Sequence, residues 1–424
     1  MKDTFDVLLV GGGGREHAIA TALKKSRRLG RLICAPGNAG IAALCECYPV
    51  SATDVEGQVA LAKEQKVDLV FVAPDDPLVL GLCDRLRAEG IAAFGPSAAA
   101  AQIEGSKVFS KDLMKKYSIP TASYEVFDSA ESARAYLKEK NEYPIVLKAE
   151  GLALGKGVLI PESEEEAMAA LSELMEEKKF GDAGNRIVIE EFLTGPEVSV
   201  LAFCDGTDYV TMPAAQDHKR AFEGNLGPNT GGMGAFCRTP NYTAEIEEVC
   251  HREIFAPTVA AMRAEGCPFT GVLYFGLMLT PRGPRVIEYN ARFGDPETQA
   301  VLPLLESDFL EILLAVNEGK LKDADVRFSD KAAFCLVIAS GGYPGKVEKG
   351  FEITGLEKAE ESGATVYHAG TALSDGKVVT SGGRVLGVVT VRETLAECRD
   401  ASYAAASHVH FDKMRMRTDL LKDY

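Results

Sequence analysis

From Phe5 to Gly105, short apolar runs at 7–10, 31–35, 68–73 and 91–95 alternate with stretches of helical character at 16–25, 55–65 and 78–89. A parallel connection needs a crossover long enough for a helix, so this alternation predicts β-α-β units around a parallel sheet. Each apolar run ends in turn-forming residues: Gly11–Gly14, Pro36-Gly37-Asn38, Pro74-Asp75-Asp76-Pro77 and Gly95-Pro96-Ser97. Open α/β sheets bind ligands outside the carboxyl ends of their strands, which makes these loops the first place to look for a site.

The pattern changes after Lys107. A helical stretch runs to Tyr117, and strands are predicted at 124–127, 145–149, 157–160 and 186–190, with an amphipathic surface helix over 164–178. Further β-rich segments follow at 198–204, 210–213, 271–279 and 285–290, with a helix at 244–265. From Lys331 the tail, with SGGYPG, TSGGRVLGVVTV and a last helix near 394–408, reads as another small α+β unit. The expectation is a multidomain α/β and α+β chain.

At 424 residues the chain is long enough for several domains to share one site. Lys plus Arg is 46 and Asp plus Glu is 62, a net charge of −16 that repels nucleic acid and anionic membranes at long range. An anionic ligand must therefore be held by locally placed cations. The ten cysteines form no C-x-x-C pair, so reduced, mostly buried thiols of a cytoplasmic protein are expected. The first residues lack the apolar run of a signal peptide, and no apolar stretch of about 18 residues occurs, so neither export by that route nor a membrane span is expected. The six histidines show no zinc-like grouping and no G-x-S-x-G elbow is present, which sets aside metalloprotease and serine-hydrolase chemistry.

Five segments carry chemistry. In VLLVGGGGREHA a strand meets Gly11, Gly12, Gly13 and Gly14 and then a helix beginning near Arg15 and Glu16, which brings backbone N–H groups and a helix dipole to an anion. Neither register completes G-x-G-x-x-G, and the second strand runs into Cys34-Ala-Pro-Gly-Asn38 where a dinucleotide fold needs an acidic residue; a single phosphate fits better than NAD. In KAEGLALGKG, Lys148 ends an apolar strand and a loop with Gly155, Lys156 and Gly157 follows. It is not a Walker A loop, but such a loop can fold over a phosphate chain while Lys148 supplies a fixed cation.

IVIEEFLTGPEVSV places Glu190, Glu191 and Glu197 around a strand-turn-strand, where main chain can meet an adenine edge and a carboxylate can meet ribose hydroxyls. In VIEYNARFGDPETQ, Glu288 and Asn290 are two apart on a strand and share a face; a pair of hard oxygens suits Mg²⁺. Arg292 shares that face if the strand persists, and can neutralise a phosphoryl group or carboxylate. Finally, QDHKR with Asp217 and Lys219 leads into GNLGPNTGGMGAF, whose glycines admit close backbone approach and whose Asn229 and Thr230 suit a carboxylate or hydroxyl.

Taken in order, GGGGREHA (11–18), APGNAG (35–40), IEGSK (103–107), KAEGLALGKGV (148–158), EEFLTGPEVS (190–199), QDHKR (216–220), GPNTGGMGA (227–235), IEYNARFGDPE (287–297) and SGGYPG (340–345) resemble the phosphoribosylamine–glycine ligases, or glycinamide ribonucleotide synthetases. The resemblance spans nearly the whole chain. It implies an ATP-grasp fold with an N-terminal open parallel α/β domain at 1–105, an ATP-grasp core at 106–120 and 189–330, a lid at 121–188 and a small C-terminal α+β domain at 331–424. The implied activity is the ATP-dependent joining of glycine to 5-phosphoribosylamine through glycyl phosphate, in de novo purine synthesis.

By the same resemblance, Lys107 and Lys148 are phosphate cations, Glu190, Glu191, Phe192 and Leu193 face adenine, Glu197 binds ribose, and Glu288 with Asn290 holds Mg²⁺ or Mn²⁺. Gly11–Gly14, with Arg15 and Glu16 beside them, and Asn38 would approach the sugar phosphate. Asp217, Lys219, Asn229, Thr230, Gly231, Gly232 and Arg292 would lie near glycine or the acyl phosphate, with Arg292, Lys148 and Asp217 catalytic. The superfamily often adds a third metal carboxylate on the preceding strand, where this chain reads Tyr274-Phe275-Gly276-Leu277. ATP, glycine and 5-phosphoribosylamine are the implied partners of a cytoplasmic monomer or weak homodimer, with bicarbonate- and formate-using ATP-grasp enzymes as the rival reading.

Overall fold

The computed structural model describes residues 2–152, 157–177 and 181–424. The amino-terminal strands Phe5–Gly11, Leu29–Pro36, Glu46–Cys47, Leu69–Val72 and Ala92–Phe94 form a parallel sheet in which Phe5–Gly11 is central. Its middle strands are buried on both faces, which is why they read as unbroken apolar runs. The single helix expected over 78–89 is two, Asp75–Val79 and Leu82–Ala88, because Gly81 turns the chain between them at φ +84°.

A second sheet of four antiparallel strands carries Tyr124–Phe127, Ile187–Glu191, Ile145–Ala149 and Val158–Leu159 in that spatial order. Helices Ala130–Lys140 and Glu164–Leu171 pack their apolar stripes on it, through Leu137, Ala167 and Leu171. The latter helix continues in a wider turn to Glu176, and the expected end at Lys178 lies outside the described residues.

The core is a ten-stranded sheet whose edge pair is Gly283–Asn290 beside Thr270–Thr280, followed by Glu197–Asp205. Strand Gly234–Cys237 pairs with Ala332–Ser340, so the sheet of the carboxyl-terminal segment continues that of the core. The helix expected over 244–265 runs from Ala244 to Ala264 with one widened turn at His251–Phe255. Among the described residues no helix is long and apolar enough to cross a membrane.

Candidate active site

Register builds the first part of the site. In the four-stranded sheet Lys148 pairs with Val188 and Val146 with Glu190, so Lys148 and Glu190 are diagonal neighbours on one face. The Glu190 carboxylate, 3% exposed, bridges Lys148 Nζ at 3.0 Å and Lys111 Nζ at 2.9 Å. Lys148 also donates to the Ile287 carbonyl at 2.9 Å, and Lys111 to Thr121 Oγ1 at 2.8 Å. Burial alone would push the Glu190 carboxyl up, but the two lysines outweigh it and hold it below the usual range. One turn before Lys111, Lys107 Nζ donates to the Gly151 carbonyl at 2.9 Å, and Glu150 caps that helix through the Val108 N–H at 3.0 Å.

The edge strand supplies the oxygens. Glu288 and Asn290 pair with Gly276 and Tyr274 and face the same cavity. A Cβ at Gly276 would meet Glu288 Cγ at 2.9 Å, so the glycine makes room for the Glu288 stem. Burial opposes the Glu288 charge, yet Lys219, Lys148, Arg292 and Lys107 outweigh it and keep the carboxyl ionised. The strand ends at Asn290, so Arg292 reaches the cavity from the bend beyond it rather than from the strand face expected. Arg292 Nη2 lies 2.9 Å from Glu104 Oε1, 3.7 Å from Asp75 Oδ2 and 3.2 Å from Asn290 Oδ1; its Nε is buried without a hydrogen-bond partner. Glu104 also accepts the Ala291 N–H at 2.6 Å, and burial pushes its carboxyl up to about 7 against the pull of Arg292.

A third group faces these. Lys219 Nζ pairs with Glu197 Oε2 at 2.6 Å, and although burial works against its charge, Asp217, Glu197 and Glu288 hold the ammonium protonated. Asp217 is pushed up to about 7 by burial, opposed by Lys219 and reinforced by Glu297, Glu197 and Glu288. Beneath them Tyr274 Oη donates to Glu297 Oε1 at 2.9 Å and lies 2.6 Å from Ser199 Oγ.

The glycine loop is built tightly. Gly11 sits at φ +122°, and a Cβ there would strike Glu16 Cγ at 2.6 Å; a Cβ on Gly12 would strike the Gly37 carbonyl at 2.4 Å. Glu16 accepts the Gly13 N–H and pairs with Arg15 Nε at 2.6 Å, while Arg15 Nη1 donates to the Phe293 carbonyl at 3.0 Å. The Asn38 amide is spent within the protein: it donates to the Gly12 and His368 carbonyls at 2.9 and 2.8 Å and accepts from Gly40 and Ile41 N–H groups at 3.0 Å.

One cavity of about 460 Å³ collects most of the expected residues. Lys107, Lys148, Gly157, Glu288, Asn290 and Arg292 line it, as do Glu190, Glu191, Phe192, Leu193 and Glu197. Asp217, Lys219, Asn229, Thr230, Gly231 and Arg15 line it as well. Gly11 to Gly14, Glu16, Asn38 and Gly232 are outside that lining, and Gly155 and Lys156 lie outside the described residues. Lys111, Glu104, Asp75, Glu297 and Arg384 also line it and were not expected. Arg384 donates to the Gly231 and Asp295 carbonyls, linking the carboxyl-terminal segment to the site. Lys111 had a signal, one helical turn from Lys107; Glu104 and Glu297 stand inside quoted motifs; Arg384 stands in TSGGRVLGVVTV, a stretch read only as part of the carboxyl-terminal unit.

Among the described residues no group of three or more His, Cys, Asp or Glu is placed to hold a metal by itself. The oxygen pair of Glu288 and Asn290 suits Mg²⁺, which keeps few protein ligands and completes its shell with phosphate oxygens and water.

The phosphoribosylglycinamide synthetase models match this chain in three consecutive parts: the N domain over residues 5–104, the ATP-grasp (A) domain over 105–298 and the C domain over 333–422. The chain belongs to this family. A phosphoribosylamine–glycine ligase of Caldanaerobacter subterraneus is 48% identical over 99% of this chain and 100% of its own length. The bifunctional purine biosynthetic protein ADE1 of Schizosaccharomyces pombe is 47% identical over 97% of this chain and 53% of its own. The crystal structure of the Thermotoga maritima phosphoribosylamine–glycine ligase superposes with a TM-score of 0.84 at 37% identity, covering 98% and 99% of the two chains. The biotin carboxylase domain of a Hydrogenobacter thermophilus carboxylase, in complex with MgADP, has a TM-score of 0.75 at 16% identity over 97% of this chain and 92% of its own, a likeness of fold. Membership makes the chain an ATP-grasp, ATP-dependent ligase, and the expected fold class holds.

Proposed function

We propose that this chain joins glycine to 5-phosphoribosylamine at the cost of ATP, giving glycinamide ribonucleotide, ADP and phosphate. The observation that carries the reading is convergence: Lys107, Lys148 and the group Glu288, Asn290 and Arg292, from three separate segments, border one cavity. A carboxylate resists attack by an amine, because its charge repels the nucleophile and oxide is a poor leaving group. A glycine carboxylate oxygen therefore attacks the γ-phosphorus, and the bond to the ADP oxygen breaks. The amine of phosphoribosylamine then attacks the carbonyl carbon of glycyl phosphate and phosphate leaves.

In this reading Lys107 and Lys148 hold the phosphate chain. Glu190 to Leu193 present main chain to adenine. Glu190's side chain has a second task, fixing the Lys148 ammonium between itself and the Ile287 carbonyl. Lys111 offsets the Glu190 charge, so the trio keeps a net positive charge for phosphate. Glu197 meets ribose. Glu288 and Asn290 would hold Mg²⁺ or Mn²⁺, which when bound neutralises charge on the phosphate oxygens. Arg292 stabilises the acyl phosphate. Asp217 and Lys219, with Asn229, Thr230, Gly231 and Gly232, hold glycine, and Gly11–Gly14, Arg15, Glu16 and Asn38 form the sugar-phosphate side. The 121–188 segment closes as a lid that keeps water from the intermediate. A cytoplasmic monomer or weak homodimer completes the proposal.

The test is ADP release by purified protein. Release should require glycine and phosphoribosylamine together; release with bicarbonate or formate in place of glycine would overturn the assignment.

A further inference from the structure

Three cysteines that the site does not use converge beneath the glycine loop. Cys34 and Cys47 are directly opposed in the parallel pair Leu29–Pro36 and Glu46–Cys47, so their side chains leave the same face of the sheet. Neighbouring strands stand about 4.8 Å apart, inside the Cα separation a disulfide accepts. Both sulfurs surround Gly37: a Cβ on that residue would lie 2.4 Å from Cys47 Sγ and 3.7 Å from Cys34 Sγ. Cys45 and Cys47 are partly exposed, whereas the other eight thiols are buried.

We propose that this cluster is an oxidation site for hydroperoxides, in which Cys47 reacts first and Cys34 then closes a disulfide onto it. The Cys47 sulfur attacks one peroxide oxygen, the O–O bond breaks, and water or an alcohol leaves with the proton, forming a sulfenic acid. The Cys34 sulfur attacks Cys47, the S–S bond forms, the S–O bond breaks, and water departs with the Cys34 proton. Two thiols lose two electrons and the peroxide gains them. Support comes from hydrogen bonding at the sulfur: bonds from the Cys34 and Cys45 thiols, against the opposing effect of burial, pull the Cys47 thiol down to about 4, while burial pushes Cys83 up to about 12.

The disulfide acts on the loop above. Cys34 Sγ shares its one proton between Cys47 and the Gly11 carbonyl, 3.3 Å away, and the Gly37 N–H donates to the same carbonyl at 3.0 Å. Joining the two sulfurs withdraws the first donor and strains Gly37, the residue against which Gly12 packs. Resting on the function proposed above, oxidation weakens sugar-phosphate binding and leaves ATP binding intact.

The test treats the full chain with a few equivalents of hydrogen peroxide and maps peptides without reduction. A Cys34–Cys47 link should form at least tenfold faster than Cys83 is oxidised, and dithiothreitol should reverse it. In C34S, dimedone should label Cys47; in C47S, neither link nor label should form at this cluster, and ATP-dependent turnover should persist. Oxidation spread evenly over the ten thiols, or a disulfide elsewhere, overturns the site. Should C34S fail to fold, the wild-type map decides alone. Oxidised wild type should bind glycinamide ribonucleotide at least tenfold more weakly with unchanged ATP affinity. If the link forms without that change, the loop coupling fails; if no ligand binds before oxidation, the functional reading fails and the thiol chemistry stands.

Discussion

Replacing Glu104 by Gln tests how this site trades stability for charge. Glu104 is 5% exposed, holds Arg292 at 2.9 Å and the Ala291 N–H at 2.6 Å, and burial moves its carboxyl from 4.5 up to about 7. A group bound more tightly by its proton in the folded state stabilises fully below about pH 4.5 and loses that contribution as pH rises through about 7. The difference is about 3 kcal/mol at 1.36 kcal/mol per unit. Glutamine mimics the protonated form at every pH. With an unfolding entropy of about 2.1 cal/mol/K per residue, E104Q should melt roughly 3 °C above wild type at pH 8 and within about 1 °C of it near pH 5. Its activity should move the other way: a neutral partner for Arg292 weakens a charge-assisted bond by about 1 to 2 kcal/mol, roughly a tenfold loss in kcat/KM. Calorimetric melts from pH 5 to 8 and coupled ADP assays measure both. A melting difference that does not change with pH, or unaltered kinetics, refutes the reasoning.

Arg292→Lys keeps the charge but cannot reach Glu104, Asn290 and the Phe293 carbonyl together, so about 2 kcal/mol, roughly thirtyfold in kcat/KM, should be lost; unchanged kinetics counts against the contact. Lys148→Ala and Glu288→Ala should each abolish ADP formation while melting curves retain a cooperative transition, and near-normal turnover in both removes the site assignment. Lys111→Met should raise the KM for ATP more than it lowers kcat, since Glu190 then neutralises Lys148 alone, and Lys111→Arg should restore most of the affinity. Gly12→Ala should raise the KM for phosphoribosylamine with little change for ATP, because its methyl meets the Gly37 carbonyl at 2.4 Å.

What could be read along the chain was whatever depends on local period and spacing. The parallel amino-terminal sheet follows from apolar runs that alternate with helices, and Glu288 and Asn290 share a face because a strand's side-chain period is two. The glycines at 11 and 12 mark positions where a Cβ would strike the Glu16 side chain and the Gly37 carbonyl. Partnerships across long separations were not legible. Glu190 finding two lysines, Arg292 finding Glu104 and Asp75, and Arg384 reaching Gly231 each depend on how separately folded segments dock. Pairing strength depends on burial, and burial is a property of the packed whole. The sequence determined which groups could be charged; only tertiary structure decided which charges face each other out of water, and so how Asp217 and Glu104 come to titrate near neutrality.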